Sequence, residues 1–479
     1  MSPYPLYING NWVSAQSGKT YDILNPATGE VVSQAAYGDE NDADLAVLAA
    51  HEAFANWAAT PASERASLLR NLYEMVIKNT EELARTITLE MGKPIREARS
   101  EVKVAAEYLL WNAEEARRTY GSVIPAPYRH KRFQTIRQPV GPVAAITPWN
   151  FPLSMVTRKI APALAAGCTV VFKPASQTPG CAVKFFELAD RIGLPKGVLN
   201  LVMGSSSKIG DHLLADKRIR KITFTGSTEI GKQLMKSAAD QVKRVSMELG
   251  GHAPFLVFED ADLEQAVEGA VASKFRNNGQ TCICANRIYV QETVKESFIR
   301  LFKEKVESLR IGNGLREDVD LGPVLNESAL NKVDSQVEDA VLKGARIVTG
   351  GTVFRVNGLE KGYFYAPTIL DGADENMTIS KEETFGPVAP VYTFRTEEEA
   401  ITKANHDHYG LAAYFFTKDL SRATRVAEAL NYGMVGINDP VVTAVEGPFG
   451  GWGESGLGKE GGPEGLNDFL ETKFISVVI

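Results

Sequence analysis

The chain has 479 residues, enough for roughly three units at about 150 residues per domain, so a peptide or a single small module is excluded. With 44% hydrophobic and 23% charged residues it can bury a large core, which excludes global disorder. The 52 Lys and Arg against 59 Asp and Glu give a net charge of -7, and no basic stripe stands out, so a nucleic-acid partner is not expected.

In chain order, the first eighteen residues carry no Lys or Arg, and Pro3, Pro5, Asn9, Gly10 and Asn11 interrupt any apolar run, which argues against a secretory signal. Residues 6–12 read as a short strand, Asn25-Pro26-Ala27-Thr28-Gly29 as a turn and 30–36 as the next strand. From 42 to 58 the period becomes helical, with Leu45, Leu48, Ala49, Phe54 and Trp57 three and four apart, and further helices are expected over 63–79 and 95–120. Residues 129–137 alternate basic with apolar or polar side chains between Pro127 and Pro139, the pattern of an exposed strand or arm. The uncharged run around 138–157 contains Pro139, Pro142, Pro148 and Pro152 and does not read as a membrane span.

From 140 to 249 short apolar runs alternate with helices. Residues 143–146 lead into Pro148-Trp149-Asn150, 169–172 into Lys173-Pro174-Ala175-Ser176, and 221–224 into Thr225-Gly226-Ser227-Thr228. Strand, turn and helix repeated in this way predict a doubly wound, mostly parallel α/β sheet, with the three turns lining one crevice at the carboxyl ends of its strands. Gly250-Gly251 reads as the hinge into a second α/β unit over 251–440, with strands expected at 255–258, 288–290, 345–349 and 391–394. The tail over 448–458 is rich in glycine and loops, and a last strand at 473–479 is expected to pair with the arm near residue 133.

Gly226-Ser227-Thr228-Glu229-Ile230-Gly231 follows a strand and opens a helix, where backbone N–H groups can face a phosphate. The spacing is not that of the common dinucleotide fingerprint, and a simple helix cap explains the hexapeptide equally well. Lys173, a cation without a nearby compensating charge, sits at the end of the preceding strand and adds weight to a phosphate ligand. Four Cys in this length form no disulfide framework, and Cys282-Ile283-Cys284 offers too few and too closely spaced ligands for structural zinc. No metal is expected, and the setting is read as reducing and cytoplasmic. Cys282, in a Gly-containing turn, is the candidate exposed thiol, whereas Cys168 and Cys181 read as buried and inert. Glu248 ends an apolar segment, where a carboxylate needs either a task or an ion-pair partner.

Six motifs in register carry a resemblance: Asn150 in Pro-Trp-Asn-Phe-Pro, Lys173 in Lys-Pro-Ala-Ser, Phe224-Thr225-Gly226-Ser227, Glu248 in Met-Glu-Leu-Gly-Gly, Cys282 in Gly-Gln-Thr-Cys, and Glu383 in Glu-Glu-Thr-Phe-Gly-Pro. In this order they resemble the NAD(P)-dependent aldehyde dehydrogenase superfamily. Residues 273–277, 282–287 and 411–415 look most like its succinate-semialdehyde dehydrogenase branch. The resemblance implies a Rossmann-like NAD(P)-binding domain over 1–125 and 143–250, a catalytic α/β domain over 251–440, and a small β oligomerisation arm over 126–142 and 460–479 that would support a homodimer or homotetramer. It implies Cys282 as nucleophile, Asn150 with the Cys282 N–H as oxyanion donors, and Glu248 as general base for thioester hydrolysis. Lys173 and Glu383 would hold the nicotinamide ribose, Gly226 and Ser227 the pyrophosphate, while Trp149, Leu249 and Phe385 would complete the cofactor crevice.

The implied reaction is oxidation of succinate semialdehyde to succinate, with glutarate semialdehyde or a broader range of small aldehydes as alternatives. A catalytically silent dinucleotide-binding protein is the alternative of another class. A coenzyme-A-acylating enzyme is disfavoured by Glu248, since that chemistry must avoid thioester hydrolysis. Arg158, Arg287 and Thr443 are the candidates for holding a carboxylate tail at the substrate mouth. Ser176 stands where many NAD-preferring relatives carry Glu, so both cofactors are expected, with a lean towards NADP. Cys284 is read either as the partner in a reversible Cys282–Cys284 disulfide or as buried packing. The chain departs from the branch pattern at His252, in the loop 438–443 and at Gly453, and the loop leaves the exact aldehyde open.

Overall fold

The structure, a computed structural model, describes residues 2–479. Its first sheet has eight strands, in the order Asn11–Val13, Leu6–Ile8, Leu199–Leu201, Val170–Lys173, Val143–Ile146, Lys221–Thr225, Arg244–Glu248, Gly456–Leu457. The five central strands run parallel, and the outer ones pair antiparallel. Val143–Ile146, Val170–Lys173 and Lys221–Thr225 are buried almost throughout, because helices cover both faces, so they read as continuous apolar runs with no alternation. From Val143–Ile146 the chain builds outward to Leu199–Leu201 and then jumps back to Lys221–Thr225 on the other side. This reversal opens a crevice beyond the carboxyl ends of those strands.

The second sheet has seven strands, ordered Arg346–Thr349, Thr368–Asp371, Val388–Phe394, Ala285–Gln291, Ala253–Val257, Ala412–Phe416, Met434–Ile437, all parallel except the first. The chain crosses from Glu248, at the carboxyl end of a strand in the first sheet, to Ala253, at the amino end of one in the second, through Gly250-Gly251. Cys282 likewise precedes the amino end of Ala285–Gln291. The carboxyl edge of one sheet therefore faces the amino edge of the other across the crevice. A Cβ on Gly251 would lie 2.2 Å from the carbonyl oxygen of Cys282, so only glycine lets the hinge pass so close to that backbone.

The expected N-terminal helices are present as Glu40–Ala59, Ala62–Lys78 and Ile95–Glu115, the first capped by Asp39, whose side chain accepts from Asn41 N–H. An additional helix, Thr80–Met91, ends on Gly92 at φ 83°. The arm strand Lys131–Pro139 pairs antiparallel with Leu470–Val478, Phe133 opposite Ser476, and also with Ser122–Ile124. The last strand starts three residues earlier than its polar pattern predicts because Leu470 is anchored in the core. Phe474, Val478 and Ile479 stand exposed on this ribbon. Among the described residues no helix is long and apolar enough to cross a membrane.

Candidate active site

A crevice of about 370 Å³ lies between the sheets, and the strand ends supply its walls: Trp149 and Asn150, Gly226 and Ser227, Leu249, Cys282, and the loop carrying Glu383 and Phe385. Asn150 is buried, and its Nδ2 donates to the carbonyl of Gln280 at 3.0 Å, two residues before Cys282. Cys282 is half-buried. Burial pushes its thiol up to about 12, Glu383 and Glu248 push the same way, and Arg158 opposes them. The backbone N–H of Cys282 lies against its own sulfur, and Asn150 and Cys282 line the same crevice.

Glu248 is 3% exposed and its Oε2 has no partner. Burial first, then the nearby Glu460, holds its carboxyl well above the usual range, with Arg158 and Lys159 pulling back. Glu460 is the opposite case. Burial would raise it, but Lys159, which donates to it at 2.6 Å, and Arg158 outweigh that and keep it below its ordinary value. Two buried carboxyls side by side are thus driven apart in acidity, one poised to take a proton and one held ionised.

The rest of the crevice fits a dinucleotide. The Lys173 ammonium is buried at a strand end, bonded to Ser206 Oγ at 3.0 Å, with no carboxylate paired to it among the described residues, and burial lowers it to about 8. The Ser227 hydroxyl caps the helix Thr228–Ala239, whose N-terminus points its dipole at the crevice. Glu383 is raised to about 7 by burial and accepts from Gly251 N–H at 3.1 Å. Thr225 and Thr384 line the crevice with buried hydroxyls that have no partner. Trp149 and Phe385 meet edge to face, ring centroids 5.5 Å apart, and form an apolar wall. Ser176 is half-buried beside the Tyr21 hydroxyl, adjoining Gln177 on the crevice rim.

The aldehyde dehydrogenase family matches residues 12–475. The chain belongs to this family. It is similar to a glutarate-semialdehyde dehydrogenase of Pseudomonas putida, 50% identical over 473 residues that cover 99% of this chain and 97% of that one. It is also similar to an NADP(+) succinate-semialdehyde dehydrogenase of Escherichia coli, 49% identical over 470 residues covering 98% and 97%. The crystal structure of an E. coli NADP-dependent enzyme superposes with a TM-score of 0.98 at 48% identity, covering 100% of this chain and 98% of that one.

In this aldehyde dehydrogenase Arg287 does not face the substrate mouth, contrary to the sequence-based expectation. It is 2% exposed; its Nε donates to His252 O at 3.0 Å, and its Nη2 to Ala404 O at 3.1 Å and Tyr432 OH at 2.8 Å, with Asp407 as ion-pair partner. Arg287 lies within a strand, so its side chain is directed to one sheet face, here the one packed on the helix Glu397–Asn405, and its donors are spent on protein acceptors. Arg158 is buried and not at a mouth. It pairs with Glu460 at 3.0 Å, stacks on Phe449 at 3.9 Å and keeps Nη2 unpartnered. Thr443 is half-buried in the loop preceding Phe449 and does not line the crevice.

Arg276 lies instead on a second cavity of about 530 Å³ bounded also by Phe151 and Val441, its guanidinium 5.5 Å from the Phe151 ring centre, with no ion pair among the described residues. The available signal was its position, directly after the helix Leu263–Phe275 and six residues before the nucleophile. Lys93, Glu101, Lys159 and Glu460 also went unnoticed, because their pairing joins segments far apart in the chain. Cys284 is buried and its thiol donates to the carbonyls of Ser273 and Lys274 at 3.3 and 3.1 Å, and all four Cys are free.

Proposed function

We propose that the protein oxidises a short aldehyde with an anionic tail, succinate semialdehyde, to the corresponding dicarboxylic acid with NAD(P)+. The observation that carries this reading is the convergence of Cys282 and Asn150 on one crevice, with the Glu248 carboxyl and the Arg158 guanidinium, paired to Glu460 but with Nη2 unpartnered, near enough to act on the Cys282 thiol. Cys282 attacks the aldehyde carbon, and the resulting alkoxide is held by the Asn150 amide and the Cys282 N–H. The nicotinamide, when bound, supplies the hydride acceptor. Lys173 and Glu383 would hold its ribose, Gly226 and Ser227 its phosphates, and Trp149, Leu249 and Phe385 its apolar faces. The thioester left on Cys282 is hydrolysed by water that gives its proton to Glu248, and the buried charges of Lys159 and Glu460 keep the surroundings of that carboxyl fixed.

Arg276, without an ion-pair partner among the described residues, is the candidate for holding a carboxylate tail, with Arg158 adding buried positive charge near Cys282. A five-carbon glutarate semialdehyde is the second reading, supported by similarity to a glutarate-semialdehyde dehydrogenase at 50% identity. Ser176 places no carboxylate against an adenosine 2′-phosphate, which supports use of NADP as well as NAD. The subunits are read as associating through the arm ribbon. A panel of succinate semialdehyde, glutarate semialdehyde and uncharged aldehydes, each assayed with NAD and NADP by the absorbance of the reduced cofactor, tests the reading. The expected result is the highest kcat/KM on succinate semialdehyde with activity on both cofactors; no reduced cofactor with any aldehyde overturns it.

A further inference from the structure

The backbone around Asn150 is held by a pair of charges that no step of the reaction uses. Lys93 follows Gly92 at the end of the helix Thr80–Met91, and Glu101 lies in the helix Ile95–Glu115. Their side chains form an ion pair, and each is 1% exposed. Burying an ion pair costs desolvation that only good geometry and further hydrogen bonds offset. Here those bonds all go to one five-residue turn. Lys93 Nζ donates to the carbonyl of Asn150 at 3.0 Å, and Glu101 Oε1 accepts from the N–H groups of Leu153 and Ser154 at 2.9 and 3.2 Å. The cation thus meets the turn's carbonyl, and the anion meets the free N–H groups at the start of the helix Ser154–Ala166, where negative charge is favoured. The Phe151 ring lies 3.8 Å from Lys93 Nζ.

The same carbonyl is shared with the nucleophile's side of the crevice. Asn277 Nδ2 donates to Asn150 O at 3.0 Å and to Gln280 O at 3.1 Å, the latter being the atom that also receives the Asn150 side-chain amide. Asn277 and Asn278 hold the left-handed conformation, with φ 51° and 56°, that brings this about. The oxyanion amide is therefore fixed at its backbone by Lys93 and at its side chain by the Cys282 loop.

We propose that Lys93, through its buried pair with Glu101, is a positioning residue that aims the Asn150 amide at the developing oxyanion. The inference rests on Asn150 acting as oxyanion donor in the reaction proposed above. Lys93→Met alone strands a buried Glu101 charge, so the test uses Lys93→Met/Glu101→Gln, which retains an acceptor for Leu153 and Ser154 N–H. The reading is the pre-steady-state burst of reduced nicotinamide, in the wild-type and in the Asn150→Ala background. Removing one oxyanion donor costs about 10²–10³-fold, so the double variant is expected to slow the burst roughly 10- to 100-fold with the cofactor KM unchanged. In the Asn150→Ala background it is expected to slow the burst no further. A full-rate burst in the double variant, or equal slowing in both backgrounds, overturns the role of Lys93 while leaving the site reading intact. A wild-type protein that shows no burst with any aldehyde overturns the reaction itself, and this inference with it.

Discussion

The side-chain amide of Asn150 donates to the carbonyl of Gln280 at 3.0 Å, two residues before Cys282. One N–H is thereby spent on the Cys282 loop, and the other remains free for the oxyanion that the proposed reaction forms. Asn150→Ala is expected to lower kcat by about 10²–10³-fold with a small change in aldehyde KM. Steady-state kinetics check it, and a loss confined to KM counts against an oxyanion role.

Glu248 is expected to act after the redox step. Glu248→Gln should keep the burst of reduced cofactor while turnover falls about 10²–10⁴-fold. Burial, aided by Glu460, raises the carboxyl, so it remains neutral at pH values where a free Glu is ionised. The base form is lost as pH falls through that raised value, so wild-type turnover should rise with pH at values above the ordinary carboxylate range. A flat profile, or normal turnover of the Gln variant, would exclude the assignment.

Substrate charge separates Arg276 from Arg287. Arg276→Ala should raise KM for succinate semialdehyde roughly tenfold or more, the worth of a charged hydrogen bond, while KM for butanal stays level. Arg287→Ala removes the ion-pair partner of the buried Asp407 and should lower Tm without discriminating between the two aldehydes. Equal effects of Arg276→Ala on both aldehydes would remove it from the carboxylate site.

Cofactor choice is tested at Ser176. Ser176→Glu adds a like charge against a 2′-phosphate, so kcat/KM with NADP should drop steeply while that with NAD holds or rises. An unchanged NADP/NAD ratio would mean that residue 176 does not face the ribose.

A stability prediction concerns Glu90, away from the chemistry. It is buried, accepts from Gly180 N–H at 2.9 Å, leaves Oε1 without a partner, and is raised by burial from 4.5 to about 8. A raised carboxyl pKa means that the folded state resists ionisation, so stability falls as pH rises from about 4.5 towards 8, by roughly 1.4 kcal/mol per unit at most. Glu90→Gln removes that dependence, and its Tm advantage over wild type should grow from pH 5 to pH 8. Parallel melting curves across that range would refute it.

The sequence by itself determined the parallel strands and the turns that follow them. Val143–Ile146, Val170–Lys173 and Lys221–Thr225 are buried on both faces, so their pattern is local and needs no knowledge of partners. The arm near residue 133 was legible from the alternation over 129–137, and its pairing with the C-terminal strand is present, though that strand begins at Leu470 and not at 473. Cys282 and Glu248 stood out because their residue types are reactive or costly where they sit, whereas Asn150 was marked only by its motif. Only the tertiary structure decided where the arginines lie, because Arg287 points from its strand to an interior face whose acceptors come from residues 252, 404 and 432, whereas Arg276 emerges at a helix end beside a cavity. It also decided the Lys93–Glu101 and Lys159–Glu460 pairs. A buried charge is tolerated only where an opposite charge and hydrogen bonds meet it in space, and those partners come from segments that the linear order keeps apart.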